Sequence, residues 1–132
     1  MIWLVPTDRI VEVWPDAEPI LRPVTELPAC RCTLKGTFAK LRTGQRQLFV
    51  SVEQGTIVAA AVTCITSYDV GDWLTVVLCG GKGLEEWGRE GIEAIEDWAE
   101  QCGCIGVEMI GRDGWAKALG YERTAAVIQK VA

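Results

Sequence analysis

Hydrophobic and polar positions alternate along the chain with two periods. Ile2 to Val5 is a short apolar run stopped by Pro6, which predicts a strand. In "RIVEVW" the residues Ile10, Val11, Val13 and Trp14 fall at helical spacing, with Asp8 as the expected N-cap. Pro15, Pro19 and Pro23 predict that this helix breaks, restarts near Pro15 and ends before Pro23, because proline has no N–H to donate. "ELPACRC" reads as a loop. Thr33 then precedes "LKGTFAKLRTG", a short helix with Leu34, Phe38 and Leu41 inward and Gly44 as its stop.

The middle of the chain has the period of strands. "RQLFVSVE" alternates and is joined through Gln54-Gly55 to "TIVAAAVTCITSY", a hairpin by spacing and turn chemistry. After Asp69 to Asp72 comes "WLTVVLC", apolar on both faces and therefore expected inside the sheet. The longest helical pattern follows. Leu84, Trp87, Gly91, Ile95, Trp98 and Cys102 share one face, seven carboxylates from Glu85 to Glu100 fill the others, and Gly103 ends the helix. "IGVEMI" returns as a strand, Asp113 to Leu119 is a short helix, and "ERTAAVIQKV" is the expected last strand. The strand–helix–strand unit predicts that "WLTVVLC" and "IGVEMI" lie parallel and adjacent.

Composition narrows the class. With 132 residues, 49% hydrophobic and 23% charged, the chain suits one soluble domain spanning 1–132. No stretch approaches the roughly 18 apolar residues of a membrane span. "MIWLVPTDRI" lacks the basic n-region of a signal peptide, so a cytoplasmic protein is expected. The net charge of −5 argues against nucleic acid, whose phosphates call for Lys and Arg, and suits a cationic or neutral partner better. Six cysteines and no histidine, arranged as Cys30-Arg31-Cys32, Cys102-Gly103-Cys104 and two residues in apolar runs, predict free thiols and no metal.

Candidate chemistry begins where "TVVLC" meets "GGKGLEEW". Strand, glycine-rich turn and helix start present bare N–H groups and a partial positive charge to a phosphate. Gly80, Gly81, Lys82, Gly83 and Leu84 form this candidate anion site, with Arg89 further along the helix as an outer cation. Glu108, a charge out of character in the middle of "GVEMI", marks a candidate functional carboxylate.

"CGGKGLEEW" and "GRDGWAKALGYE", in this element order, resemble the GNAT superfamily of acyl-CoA N-acyltransferases. "RQLFVSVEQGTIVAAAVT" with "EDWAEQCGCIGVEMIGRDGWAKALGYE" is similar to small GNAT-like proteins of tailed phages and prophages. The resemblance implies an α+β, mixed α/β, three-layer fold with a central mixed sheet of about five to six strands and helices on both faces. It implies acetyl-CoA or another acyl-CoA as cosubstrate, with a pantetheine arm along Val76 to Cys79, Val77 and Cys79 among its contacts. The implied acceptor is an amine-bearing small molecule or a protein lysine, met by Trp115 and Arg112, in the bacterial host cytoplasm if the protein is phage-encoded. Gly120-Tyr121 matches the family's Gly-aromatic pair. The family's acid tyrosine, four residues before that glycine, is replaced by Ala116 beside Trp115, which leaves Tyr68 as a substitute acid. For the acyl transfer that the resemblance implies, Glu108 is the candidate general base. The same resemblance admits a non-catalytic GNAT-like module that binds a phage or host protein, and a homodimer paired through a strand edge or "AAVIQKV".

Overall fold

The computed structural model describes residues 1–81, 84–110 and 113–132, and for residues 84–86, 88 and 113–115 it describes the backbone alone. Along the chain lie β1 (Ile2–Leu4), a 3-10 turn (Thr7–Arg9), α1 (Ile10–Thr25), α2 (Leu34–Arg42), β2 (Gln47–Glu53) and β3 (Thr56–Tyr68). β4 (Gly71–Gly81), α3 (Leu84–Gln101), β5 (Gly106–Met109) and α4 (Asp113–Leu119) follow. The sheet runs in chain order from β1 to β5. Neighbours are antiparallel except β4 and β5, which are parallel across the α3 crossover, as the strand–helix–strand pattern requires.

Strand alternation builds two cores. Leu48 and Val50 of β2 and Ala60 and Val62 of β3 face one side, where Ile10, Val13, Ala17 and Leu21 of α1 and Leu41 of α2 close over them. Phe49, Ala59 and Ala61 face the other side, under Trp87, Ile95 and Ala99 of α3. Helices thus cover both faces of a five-stranded mixed sheet. The alanines at 59, 60 and 61 are fully buried and let the helices come close to the strands.

Turn chemistry acts where the sequence puts it. Gln54 and Gly55 take φ of 51° and 76°, the left-handed pair of a two-residue type I′ hairpin turn. Thr33 accepts a hydrogen bond from Gly36 N at 3.0 Å and so caps α2. At the end of α3, Gly103 (φ 75°) donates to Glu100 O and Cys104 donates to Ala99 O, a Schellman closure. Gly120 and Tyr121 close α4 in the same way on Lys117 O and Ala116 O.

Three expectations are corrected. α1 is one continuous helix through Pro15, Pro19 and Pro23. Each internal proline removes one helix bond, a cost of about 3 kcal/mol in isolation. The fourfold spacing, however, puts all three on the exposed face, so the carbonyls of Val11, Pro15 and Pro19 turn to water. The buried stripe Ile10, Val13, Ala17, Leu21 is left intact. Asp8 caps nothing; it lies within the 3-10 turn, and neither that turn nor α1 has a side-chain cap. Finally, the segment 121–132 forms no strand. High β propensity makes a strand only where a ladder partner exists. This segment leaves the sheet instead, with Val127, Ile128 and Val131 exposed and Gln129 Oε1 accepting from Arg31 in the α1–α2 loop.

Candidate active site

The parallel ladder between β4 and β5 is short. It pairs Trp73 with Gly106, Leu74 with Val107, Thr75 with Glu108 and Val76 with Met109, where β5 ends. On its other side β4 carries a bulge, since Thr63 faces Val76 and Val62 faces Leu78. Val77 therefore faces no residue in either neighbouring strand. Beyond it, Leu78 to Gly81 pair with β3 alone, and among the described residues their other edge is bare. The bulge also reverses the pleat: Leu74 and Val76 pack toward α3, Leu78 toward α1, and Cys79 toward α3 again. α3 starts at Leu84, just past this bare edge, with its first N–H groups unpaired by any helical carbonyl.

Val107 and Met109 pack on the α3 side, so Glu108 projects to the opposite face of the sheet. Thr75, opposite it in register, projects the same way and donates from Oγ1 to Glu108 Oε1 at 2.8 Å. Tyr68, from the end of β3, donates from Oη to the same oxygen at 2.6 Å. Thr66 Oγ1 lies 2.6 Å from Thr75 Oγ1. Among the described residues, Glu108 Oε2 has no hydrogen bond. The bond to Glu108 is the chief cause that raises the Tyr68 phenol above its ordinary range, since ionisation would break it and set two negative charges together. Trp73 stands over the backbone of Gly106, where an added Cβ would lie 2.5 Å from its ring, so a larger residue at 106 would have to displace the indole.

The two catalytic candidates from the sequence thus come together, although forty residues separate them. Val77 sits at the bulge and Cys79 two positions on, its thiol pushed up to about 12 by burial, with the Trp87 indole N–H as a smaller opposing influence. That N–H falls short of hydrogen-bonding geometry and is buried without a partner among the described residues. Gly80 and Gly81 belong to β4 and to its packing, not to a free loop. An added Cβ at Gly80 would lie 2.5 Å from Ile20 O in α1. Gly81 has φ of 127°, and its added Cβ would lie 2.8 Å from Ala59 Cβ. Arg89 is exposed in the second turn of α3. Lys82, Gly83 and Arg112 lie outside the described residues, as do the side chains of Leu84 and Trp115. Sequence reasoning missed Thr75 and Thr66. Their signal was two hydroxyls in otherwise apolar strand patterns, legible only once the register sets them beside Glu108.

On the α3 side, Glu96, Ala99, Glu100 and the run Cys104 to Val107 line a groove of about 320 Å³ closed by Tyr121. Burial, with Glu96 adding to it, pushes the Tyr121 phenol up to about 12. All six cysteines are free thiols, and the described residues contain no group of three or more metal-ligating side chains.

This chain adopts the fold of GNAT-family acetyltransferases, which it matches over nearly its full length at low identity. A GNAT family acetyltransferase of Staphylococcus aureus matches with a TM-score of 0.68 at 9% identity, over 100% of this chain and 98% of that one. A "predicted acetyltransferase with acetyl-CoA" from Clostridium acetobutylicum matches at TM-score 0.69 and 10% identity, over 99% and 95%. Glucosamine-6-phosphate N-acetyltransferase from Arabidopsis thaliana matches at TM-score 0.69 and 14% identity, over 99% and 97%. No family model matches the sequence, and no curated protein matches it.

Proposed function

We propose that the protein is an acyl-CoA-dependent N-acyltransferase that acetylates a primary amine on a small molecule or a protein lysine. The observation that carries this reading is the bare edge of β4 from Val77 to Gly81, ending at the start of α3 with Glu108 on the neighbouring strand. An extended amide-bearing arm fits such an edge as an added strand does, through backbone hydrogen bonds. The start of α3, with Lys82 before it and Arg89 after it, suits the phosphates at the other end of that arm. Among the similar folds, one is described with acetyl-CoA and one as an N-acetyltransferase of an amino sugar phosphate.

The bound cosubstrate supplies an activated acyl thioester. Val77 N–H, out of register on both sides, is the donor for the carbonyl oxygen where negative charge develops. Glu108 takes the proton of the incoming ammonium at Oε2, since a protonated amine has no lone pair. Tyr68 holds Oε1 and keeps its own proton, so it orients the base better than it serves as an acid. A thiolate needs little acid assistance, because a thiol titrates only about 1.5 units above neutral pH. The net charge of −5 favours cationic acceptors.

Calorimetric titration with acetyl-CoA and free CoA tests the reading first, and thioester turnover over a panel of amines tests it second. Binding of neither cofactor form would overturn it. Binding without turnover on any amine would leave the second reading, a non-catalytic module that engages a protein or a second copy of itself. That reading is favoured by the exposed Val127, Ile128 and Val131.

A further inference from the structure

We propose that Thr75, backed by Thr66, is the positioning residue that fixes the Glu108 carboxylate and reserves its Oε2 for the acceptor amine. This deepens the reading of Glu108 as the base and rests on it. The hydroxyl of Thr75 has a single proton. That proton goes to Glu108 Oε1, a carboxylate oxygen 2.8 Å away, so Thr75 must act as acceptor in its 2.6 Å contact with Thr66. The direction of the chain is therefore set: Thr66 donates to Thr75, and Thr75 donates to Glu108. Each bond polarises the next, which strengthens the terminal donor.

The two donors on Oε1 are not equivalent. Thr75 is opposite Glu108 in the parallel ladder, is partly buried, and has a β-branched side chain with few rotamers. Tyr68 is 48% exposed at a strand end and reaches in from β3. Thr75 is thus the rigid partner and Tyr68 the mobile one. With Oε1 saturated by two donors, the remaining lone pairs of the carboxylate lie on Oε2. Among the described residues of β3, β4 and β5, the titratable groups that share this face with Glu108 are Tyr68 and Cys64 from β3; Trp73 and Thr75 of β4 and Gly106 of β5, which lie beside them, carry no charge.

The test compares Thr75→Val, which keeps the shape and removes the hydroxyl, with Thr75→Ser, which restores it, and with Thr66→Val, which removes only the backing. The first readout is the carboxyl-carbon NMR titration of Glu108, which needs no turnover. Loss of a donor to the charged form should move the midpoint upward in Thr75→Val, less in Thr66→Val, and back in Thr75→Ser. The second readout is turnover, in which Thr75→Val should lower kcat about tenfold, with KM for acyl-CoA unchanged and the acidic limb of the pH profile displaced with the NMR midpoint. An unmoved midpoint in Thr75→Val and Thr66→Val would overturn the proposal, as would a loss of activity that Thr75→Ser does not restore. If Glu108→Gln keeps full activity while the midpoint shift is present, the choice of base fails and the anchoring role of Thr75 stands. Should Thr75→Val not fold, Thr66→Val carries the same test, since it leaves the ladder residue in place.

Discussion

Replacing Gly80 by alanine separates two roles that the sequence alone leaves merged. As a phosphate-site glycine, Gly80 would give up ligand affinity and little stability. As a packing glycine it gives up stability instead. An added Cβ would lie 2.5 Å from Ile20 O and 3.2 Å from Val24 Cγ2, and the first of these is backbone that cannot rotate away. Restoring contact at about 3.4 Å means moving α1 off β4 by the better part of an ångström, against the buried Ala17 and Leu21. Overpacking of this kind costs about 1–3 kcal/mol. Unfolding entropy near 2.1 cal/mol/K per residue gives about 0.28 kcal/mol/K for this chain, so 2 kcal/mol lowers Tm by about 7 °C. Thermal unfolding by circular dichroism, with acetyl-CoA titrated at a temperature where both variants are folded, reads the two roles together. The expected result is a Tm lowered by 4–10 °C with affinity changed less than threefold, roughly the span of the overpacking range. An unchanged Tm with affinity lost would refute the packing account and return Gly80 to the ligand.

Glu108→Gln should lower turnover on an accepted amine by roughly a hundredfold with cofactor affinity unchanged; steady-state kinetics checks it, and a variant as active as the parent removes Glu108 as base. Phe49→Ala, at the centre of the α3-side core, should cost about 3–5 kcal/mol in urea unfolding. A loss under 1 kcal/mol would mean that this core is not packed as described. The Cys79 thiol is held near 12 in the folded chain, against 9.0 for an ordinary thiol, so the native state keeps a proton that the unfolded chain gives up. That stability is whole below pH 9 and is lost as pH rises toward about 12. By pH 10.5 the loss is about 2 kcal/mol, and Cys79→Ala should flatten it in urea melts at pH 8, 9.5 and 10.5. Tyr68→Phe should lower kcat less than Thr75→Val does, since its exposed hydroxyl is the mobile donor. The reverse order would exchange the two roles.

Local rules carried the parts of the fold that depend on neighbours in sequence. The Gln54-Gly55 turn, the start of α2 after Thr33, the Gly103 stop and the inward face of α3 from Trp87 onward are each fixed by a few adjacent side chains, and all stand where the pattern put them. The parallel pair of β4 and β5 followed from one crossover rule. What the pattern missed depends on tertiary surroundings. Pro15, Pro19 and Pro23 look like helix breakers until their shared face is known to be solvent. Gly80 and Gly81 look like a loop until α1 and Ala59 are known to press on them. "TAAVIQKV" looks like a strand in any window, and only the absence of a ladder partner says otherwise. At the site, Glu108 was legible as a charge out of place in an apolar strand. Thr75 was not, because hydroxyls are ordinary in strands and nothing in the chain states which one lies opposite a carboxylate.

The mismatch between β4 and β5 bears on how the protein behaves in a crowded solution. Sheet edges are templates for foreign strands, and proteins usually guard them with charged side chains, prolines or a covering element. From Val77 to Gly81 the bare edge of β4 carries no charge and no proline, and it ends in two glycines. A guard of the usual kind would obstruct any ligand that binds by adding itself to this edge. On the proposed reading, the bound cosubstrate takes over the protective duty. The amount of acyl carrier in the surroundings would then set both the occupancy of the site and the colloidal lifetime of the protein, with the ligand-free form the more prone to join edge to edge.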